Sequence, residues 1–298
     1  VRPPAAYQSH HELVEIAAGA SQTFRNTRFI ANSQAEIQMV VSANPQLQLY
    51  EALKYVVGYP YGCVEQTTSR LMPMYLLRKS QGLVEEVLKD EARLDDYIQG
   101  GIGRLFSMQT ATGGLGYWPG SPDTYPYGSV YGLHFLTLVK NGREYDIPEQ
   151  PMEALQEYVR GIANDWTQKE TQSNLYLRAY ATYVLALGGD INAIQQIRRF
   201  DNITLPRSAR YLLAAALARA TQDEERVAMY LSSAPSQPYE VAEQGGTLNS
   251  DIRSTAVEVL SLSQIDADSE ELHKKAKDLI RYLSSNRYGN TQERAFVA

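Results

Sequence analysis

The chain contains a single cysteine, Cys63, and a glutamine, Gln66, follows three residues later. If a helix begins at the cysteine, positions i and i+3 lie on the same face of its first turn. The sulfur could then attack the side-chain carbonyl carbon of the glutamine and expel ammonia. The product would be an internal thioester, in which an acyl group is stored on a good leaving group. The spacing therefore indicates covalent chemistry that uses no cofactor.

The neighbouring residues suit such a helix start. Gly62 can adopt the positive φ that a sharp turn into a helix demands. Pro60 fixes its own φ and favours an extended Tyr59, so the helix cannot begin earlier. Tyr59 and Tyr61 could shield a hydrolysable bond from water, and plain packing explains them equally well. Glu65 could cap an exposed N–H group, because acidic charge is favoured near a helix N-terminus.

The sequence Pro60-Tyr61-Gly62-Cys63-x-Glu65-Gln66, with a further proline at position 73, resembles the thioester motif of the α2-macroglobulin and complement family. The form Tyr-Pro-Tyr-Gly-Cys-Val-Glu-Gln-Thr-Thr, with Val64 where the animal proteins carry glycine, is similar to that of the bacterial members. The resemblance implies that the Gln66 acyl group passes to a lysine amine of a trapped protease. Each molecule would react once, as a covalent endopeptidase inhibitor rather than an enzyme. It further implies a periplasmic or cell-envelope location, with target proteases and the other domains of a longer inhibitor as partners.

Composition excludes several other functions. The 298 residues carry a net charge of -6, so there is no basic surface for nucleic acid. No run of 18 or more apolar residues occurs, which predicts that this chain makes no membrane contact. One cysteine also excludes an intrachain disulfide.

Residues 1–45 are predicted to be β structure. Short runs rich in Val, Ile, Phe and Thr are separated there by Gly, Ala, Ser and Asn. Three short strands do not easily form an independent domain. The family resemblance implies that they are the N-terminal part of a CUB-type β-sandwich in which the thioester domain is inserted.

Residues 46–298 follow a helical period. Helices are predicted near 47–57, 94–108, 129–140, 150–164, 172–188, 191–199, 205–220, 222–233, 250–263, 268–285 and 291–298, with a glycine-rich loop over 109–128. A small residue followed by aliphatics recurs at Ala181, Ala214 and Ala256, which indicates stacked helix pairs. The prediction is a mainly α fold, an α/α toroid, as the family resemblance also implies. We expect the ring to be incomplete at the C-terminus, because an apolar helical pattern stops there.

The histidines bear on which nucleophile would react. In members of this family that transfer to hydroxyls, a histidine more than a hundred residues after the cysteine attacks the thioester first. This chain has only His10, His11, His134 and His273. We interpret His134, which lies in an apolar helical stretch, as a hydrogen-bonded core residue, and we expect amines to attack the thioester directly.

Two alternatives remain open at this stage. One is an α/α-toroid enzyme of the terpenoid-cyclase or prenyltransferase type, which would need an Asp-rich or zinc site. The sequence contains no Asp-x-Asp-Asp or Asp-Asp-x-x-Asp motif. Asp95 and Asp96 are read as a solvated helix face, and the adjacent His10 and His11 would point to opposite sides of a strand, so we predict no metal. The other alternative is an inert interaction module in which the thioester never forms.

Overall fold

The computed structural model describes residues 14, 16–23, 62–78, 94–221, 223–232, 248, 250–285 and 295–296. Ten α-helices occur in these residues: α1 (Val64–Leu77), α2 (Leu94–Ser107), α3 (Pro126–Gly142), α4 (Glu149–Asn164), α5 (Gln172–Leu187), α6 (Ile191–Gln196), α7 (Arg207–Ala220), α8 (Glu224–Ser232), α9 (Asp251–Ile265) and α10 (Glu270–Ser285). Most of the predicted β segment and the helix predicted over 47–57 lie outside the described residues. Within residues 16–23 the chain forms a turn and no strand.

Consecutive helices alternate between two layers. The odd-numbered helices contact one another in the order α1, α3, α5, α7, α9 and form the inner layer. Each even-numbered helix packs on the outside of at least one inner helix. This alternation is the arrangement of an α/α toroid, so the predicted fold class is confirmed.

The distribution of apolar residues explains the two layers. Inner helix α5 buries twelve of its sixteen residues, so it has no polar side to present to water. Outer helix α4 buries only a stripe at helical spacing, formed by Met152, Leu155, Val159 and Ala163. The alanines of the predicted repeat, at positions 181, 214 and 256, are buried on α5, α7 and α9. They permit close approach between neighbouring inner helices, as the repeat indicated.

The predicted helix boundaries hold to within two residues for seven of the described helices, and two segments differ. Helix α3 begins earlier than expected, with Pro126 in its first turn, where a missing N–H group is tolerated. The helix predicted over 191–199 divides into α6 and a 3₁₀ turn, Ile197–Phe200. Helix α1 continues through the buried Pro73 to Leu77. None of the described helices is long and apolar enough to cross a membrane.

Of the segment predicted as a final helix, the structure describes Ala295 and Phe296, which are helical. Ala295 is buried, and the ring of Phe296 stacks on Tyr131 of α3 with centroids 5.3 Å apart. The same ring lies 6.0 Å from the guanidinium of Arg253 on α9. These two residues therefore pack against the inner layer.

Candidate functional site

Cys63 and Gln66 meet at the first turn of α1. Cys63 is the N-cap residue, with an extended backbone, and its sulfur accepts a hydrogen bond from the Gln66 N–H over 3.5 Å. In return, the Cys63 N–H donates to Oε1 of Gln66 over 3.3 Å. This reciprocal pattern is a capping box, which normally joins a serine or threonine to a glutamate or glutamine. It holds the sulfur and the glutamine amide on the same end of the helix, as the i, i+3 spacing predicted.

The thiol of Cys63 lies in a protected environment. The residue is only 2% exposed. Burial is the largest influence on its pKa, which is raised above the usual value because a thiolate would lose hydration. The negative charge of Glu65 raises the pKa further, while hydrogen bonds from the Gln66 N–H and from Tyr117 oppose the increase. The local field therefore favours a neutral sulfur.

Glycine is favoured at position 62 for a reason other than the predicted one. The described glycines with positive φ are Gly19, Gly113, Gly120 and Gly189, so the expectation of a positive φ at position 62 is wrong. Instead, Arg104 of α2 donates from Nε and Nη2 to the Gly62 carbonyl oxygen. A Cβ atom at position 62 would lie 2.8 Å from that Nε. Close approach of the guanidinium, rather than backbone conformation, favours glycine.

Glu65 takes part in the contacts between the motif helix α1 and its neighbour α3. Its carboxylate is buried in the first turn of α1, and Oε1 accepts a hydrogen bond from Ser69 over 2.7 Å. The Ser69 hydroxyl is also 3.2 Å from the Tyr131 hydroxyl of α3. The side chain thus joins a polar chain that links α1 to α3, in addition to its favourable position near a helix N-terminus.

Tyr117 is a site residue that the analysis of the sequence did not identify. It lies in the glycine-rich loop between α2 and α3, and its carbonyl oxygen accepts a hydrogen bond from the Val64 N–H over 3.1 Å. Burial, followed by the nearby Cys63, raises the pKa of the Tyr117 hydroxyl. The loop was recognised by its glycines and aromatics, but no local pattern indicated that one tyrosine would reach the cysteine.

The other predicted residues lie in different places. Tyr59, Pro60 and Tyr61 are outside the described residues, so their shielding role stays a prediction. His134 is 2% exposed, and its Nδ1 lies 2.8 Å from the Tyr180 hydroxyl, which confirms the interpretation as a core histidine. Burial lowers its pKa to about 4.

Elsewhere in the described part of the chain, the acidic and histidine side chains discussed above lie apart from this site. Asp95 and Asp96 are exposed on α2, as expected for a solvated face. His273 is exposed on α10, where its Nδ1 lies near the Ser269 carbonyl oxygen. Within the described ranges, no group of three or more His, Cys, Asp or Glu side chains is placed to hold a metal ion.

The chain is similar to proteins of known family. An alpha-2-macroglobulin homolog of Yersinia pestis is 28% identical over 191 residues, which cover 64% of this chain and 9% of the relative. The alpha-2-macroglobulin of Escherichia coli strain K12 is 26% identical over 273 residues, covering 87% of this chain and 16% of the relative. The chain therefore spans less than a fifth of the length of these curated relatives. Comparison with models of protein families gives no match.

A solved structure shares the fold. The crystal structure of native Escherichia coli alpha-2-macroglobulin, from domain MG7 to the C-terminus, superimposes with a TM-score of 0.72 at 22% identity. The superposition covers 84% of this chain and 40% of that one. The relatives confirm the resemblance inferred from the motif around Cys63, and the superposition shows that the fold is shared.

Proposed function

The chain is homologous to bacterial alpha-2-macroglobulins, and from this relationship we propose that it is the thioester domain of a covalent protease inhibitor. The capping box between Cys63 and Gln66 is the observation that carries the proposal. It brings the two groups of the thioester together at a buried helix terminus. The exchange itself needs only these two side chains.

The bond would form by exchange within the chain. The Cys63 sulfur attacks the Gln66 Cδ, the Cδ–Nε2 bond breaks, and ammonia leaves with the thiol proton. A lysine amine of a protease would later attack the same carbon. The carbon–sulfur bond then breaks, an isopeptide bond forms, and the amine proton is transferred to the sulfur, so the free thiol returns.

Burial of the sulfur supports storage of the bond until a trigger acts. A thiol of low pKa is the better leaving group, and the environment of Cys63 holds its pKa high. Water is also kept from the site, because the residue is almost fully buried. A conformational change that exposes the site would both admit the nucleophile and improve the leaving group. In the whole inhibitor, proteolysis by the target would supply this change.

Amines are the proposed acceptors. The buried His134 contacts Tyr180 and Tyr183 of α5, which gives it a structural role in the core. The remaining histidines give no candidate between residues 135 and 272. Without an acyl-imidazole step, an uncharged amine is a stronger nucleophile than a hydroxyl. Protease lysines, encountered in the periplasm or cell envelope, fit this requirement.

Intact mass spectrometry of the purified chain tests the proposal. We expect the chain to be lighter than its sequence by one ammonia. Methylamine should add to it and release one titratable thiol, whereas glycerol, which offers only hydroxyls, should react far more slowly. The Cys63→Ser variant is the matched control, because it keeps a capping side chain and cannot form a thioester.

The outcomes are distinct. A wild-type chain of full mass, with a thiol that titrates before any amine is added, would contradict a stored thioester. Equal reaction with glycerol and methylamine would contradict the preference for amines while leaving the thioester in place. Methylamine addition to Cys63→Ser would show that the modified group lies elsewhere.

A further inference from the structure

Two hydrogen bonds join the first turns of α1 to helix α3. The Ser69 hydroxyl donates to Oε1 of Glu65 over 2.7 Å, and the Ser69 oxygen lies 3.2 Å from the hydroxyl of Tyr131 on α3. A serine hydroxyl has one proton, and here that proton points to the carboxylate, so the Tyr131 hydroxyl donates to Ser69. The network therefore runs from Tyr131 through Ser69 to the carboxylate of Glu65.

All three members of this network lie in the core. Ser69 is 0% exposed, Tyr131 is 1% exposed and Glu65 is 5% exposed. A carboxylate that is removed from water needs donors, and connected hydrogen bonds strengthen one another in the low-dielectric interior. Burial raises the pKa of Tyr131, so its hydroxyl keeps the proton that it donates. The two hydrogen bonds therefore help to keep the carboxylate ionised and in one orientation.

The ring of Tyr131 is itself held in place. It stacks on Tyr127 with centroids 6.1 Å apart and on Phe296 with centroids 5.3 Å apart. Contacts with two rings restrict its rotation, so its hydroxyl has a defined position relative to α1. The outer end of the network is thus anchored in the inner layer of helices.

Glu65 lies two residues after Cys63 in the first turn of α1, so its orientation sets the charge near the sulfur. We propose that Tyr131, acting through Ser69, is a positioning residue that holds the Glu65 carboxylate near the Cys63 sulfur and so slows opening of the thioester. This inference rests on the proposed function, since it concerns the same bond. A movement of α1 against α3 would separate Ser69 from Tyr131 and release the carboxylate, which would let the bond open faster.

The role follows from the charge that develops as the bond opens. When an amine nitrogen attacks the Gln66 Cδ, the carbon–sulfur bond breaks, its electron pair remains on the sulfur, and the amine proton is then transferred there. A fixed negative charge nearby opposes this step, because like charges repel more strongly in a buried site than in water. The same repulsion adds to burial in raising the pKa of the Cys63 thiol. No member of the network gains or loses a proton.

Other titratable groups near the helix start lie on α2, on α9 and in the loop before α3. Arg104 of α2 and Arg253 of α9 are both hydrogen-bonded to oxygen atoms of other residues. In the loop, burial raises the pKa of the Tyr117 and Tyr125 hydroxyls, so both are neutral. Among these groups, Glu65 carries the negative charge, and its orientation therefore decides how strongly the sulfur is repelled.

The test measures the rate at which methylamine releases the thiol. Ser69→Ala removes both hydrogen bonds, so we expect release roughly 3-fold faster than in wild type, because the charge is held less firmly near the sulfur. Tyr131→Phe keeps the stacked ring and removes only the outer hydrogen bond, so its rate should lie between the two. Ser261→Ala is the matched control, because Ser261 is equally buried on α9 and donates to the Val257 carbonyl oxygen. It should react at the wild-type rate.

A second background separates positioning of the charge from loss of packing. In Glu65→Gln there is no charge to hold, so adding Ser69→Ala should cause no further acceleration. A general loosening of α1 would instead accelerate release in both backgrounds. Equal acceleration in the two backgrounds would overturn the inference, as would an unchanged or slower reaction in both Ser69→Ala and Tyr131→Phe.

A further readout does not require the bond. In the opened chain, Ser69→Ala should lower the pKa of Cys63, measured from the pH dependence of alkylation by iodoacetamide. An unchanged or higher thiol pKa would also overturn the inference. If wild type shows neither the ammonia loss nor methylamine addition, the proposed function fails, and the pKa comparison still tests the network by itself.

Discussion

Arg104 donates two hydrogen bonds to the carbonyl oxygen of Gly62, over 3.2 Å from Nε and 2.8 Å from Nη2. This carbonyl immediately precedes Cys63, so a side chain of α2 fixes the backbone that leads into α1. A planar guanidinium that donates twice restrains direction as well as distance. The geometry of the candidate thioester therefore depends on the packing of α2 against α1.

Removing this contact should make the cysteine more reactive. In Arg104→Ala, the backbone before Cys63 loses its restraint, and we expect faster alkylation by iodoacetamide after methylamine treatment, because local opening exposes the sulfur. The stability should fall by about 1 kcal/mol, as for one hydrogen-bonded group. Arg281→Ala, an exposed arginine on α10 that pairs with Asp278, is the control. Equal alkylation rates in the two variants would show that Arg104 does not restrain the site.

Replacing either of two adjacent glycines of α2 with alanine should change the stability of the fold, but in opposite directions. A Cβ atom at Gly101 would lie 2.3 Å from Cδ2 of Leu71, at the contact with α1, whereas a Cβ atom at Gly100 would have no neighbour within 4 Å. Gly100→Ala should stabilise the fold by roughly 0.5–1 kcal/mol through helix propensity. Gly101→Ala should destabilise it by about 1–3 kcal/mol through overpacking. Chemical denaturation measures both, and a gain in stability for Gly101→Ala would contradict the close helix contact.

The sequence was sufficient to predict the helices of the described part because their apolar residues repeat at the helical period. The buried alanines at 181, 214 and 256 also indicated which helices would lie in the inner layer. The interruption after Gln196 was not predicted, because the change from an α-helix to a 3₁₀ turn leaves little trace in periodicity. Helix α1 runs through Pro73, which is buried inside it.

At the site, only the contact between residues close in sequence could be predicted. Cys63 and Gln66 are three residues apart, so helix geometry alone indicates that their side chains meet. Arg104 and Tyr117 reach the same place from other elements, and only tertiary packing brings them there. The same limit explains the error at Gly62, where the preference for glycine comes from a distant side chain and not from the local backbone.

Neutralising Glu65 should make the free thiol more acidic. The carboxylate charge raises the pKa of Cys63, so Glu65→Gln should lower that pKa while its amide oxygen still accepts the Ser69 hydroxyl. The measurement is the pH dependence of iodoacetamide alkylation in the methylamine-treated chain. Glu225→Gln, on the exposed face of α8, removes the same charge away from the site. A Cys63 pKa that stays constant, or that rises, in Glu65→Gln would contradict this electrostatic assignment.

His134 should make the fold sensitive to mild acid. Its pKa is about 4 in the folded chain, below the unfolded value of 6.5, because burial disfavours the imidazolium. Between these values the unfolded state binds more protons, so stability falls as the pH decreases from about 6.5 to about 4. From pH 7 to pH 5, this one group should remove about 2 kcal/mol from the free energy of unfolding.

Comparing the pH dependence of unfolding in two variants isolates this contribution. His134→Gln keeps a polar partner for the Tyr180 hydroxyl and cannot titrate, so its stability should decrease less than that of wild type over this range. His273→Gln, on the exposed surface of α10, is the matched control. Urea denaturation at pH 7 and at pH 5 gives the two differences. If wild type and His134→Gln lose the same stability between pH 7 and pH 5, burial does not lower the pKa of His134. The assignment of His134 as a neutral core residue would then be wrong.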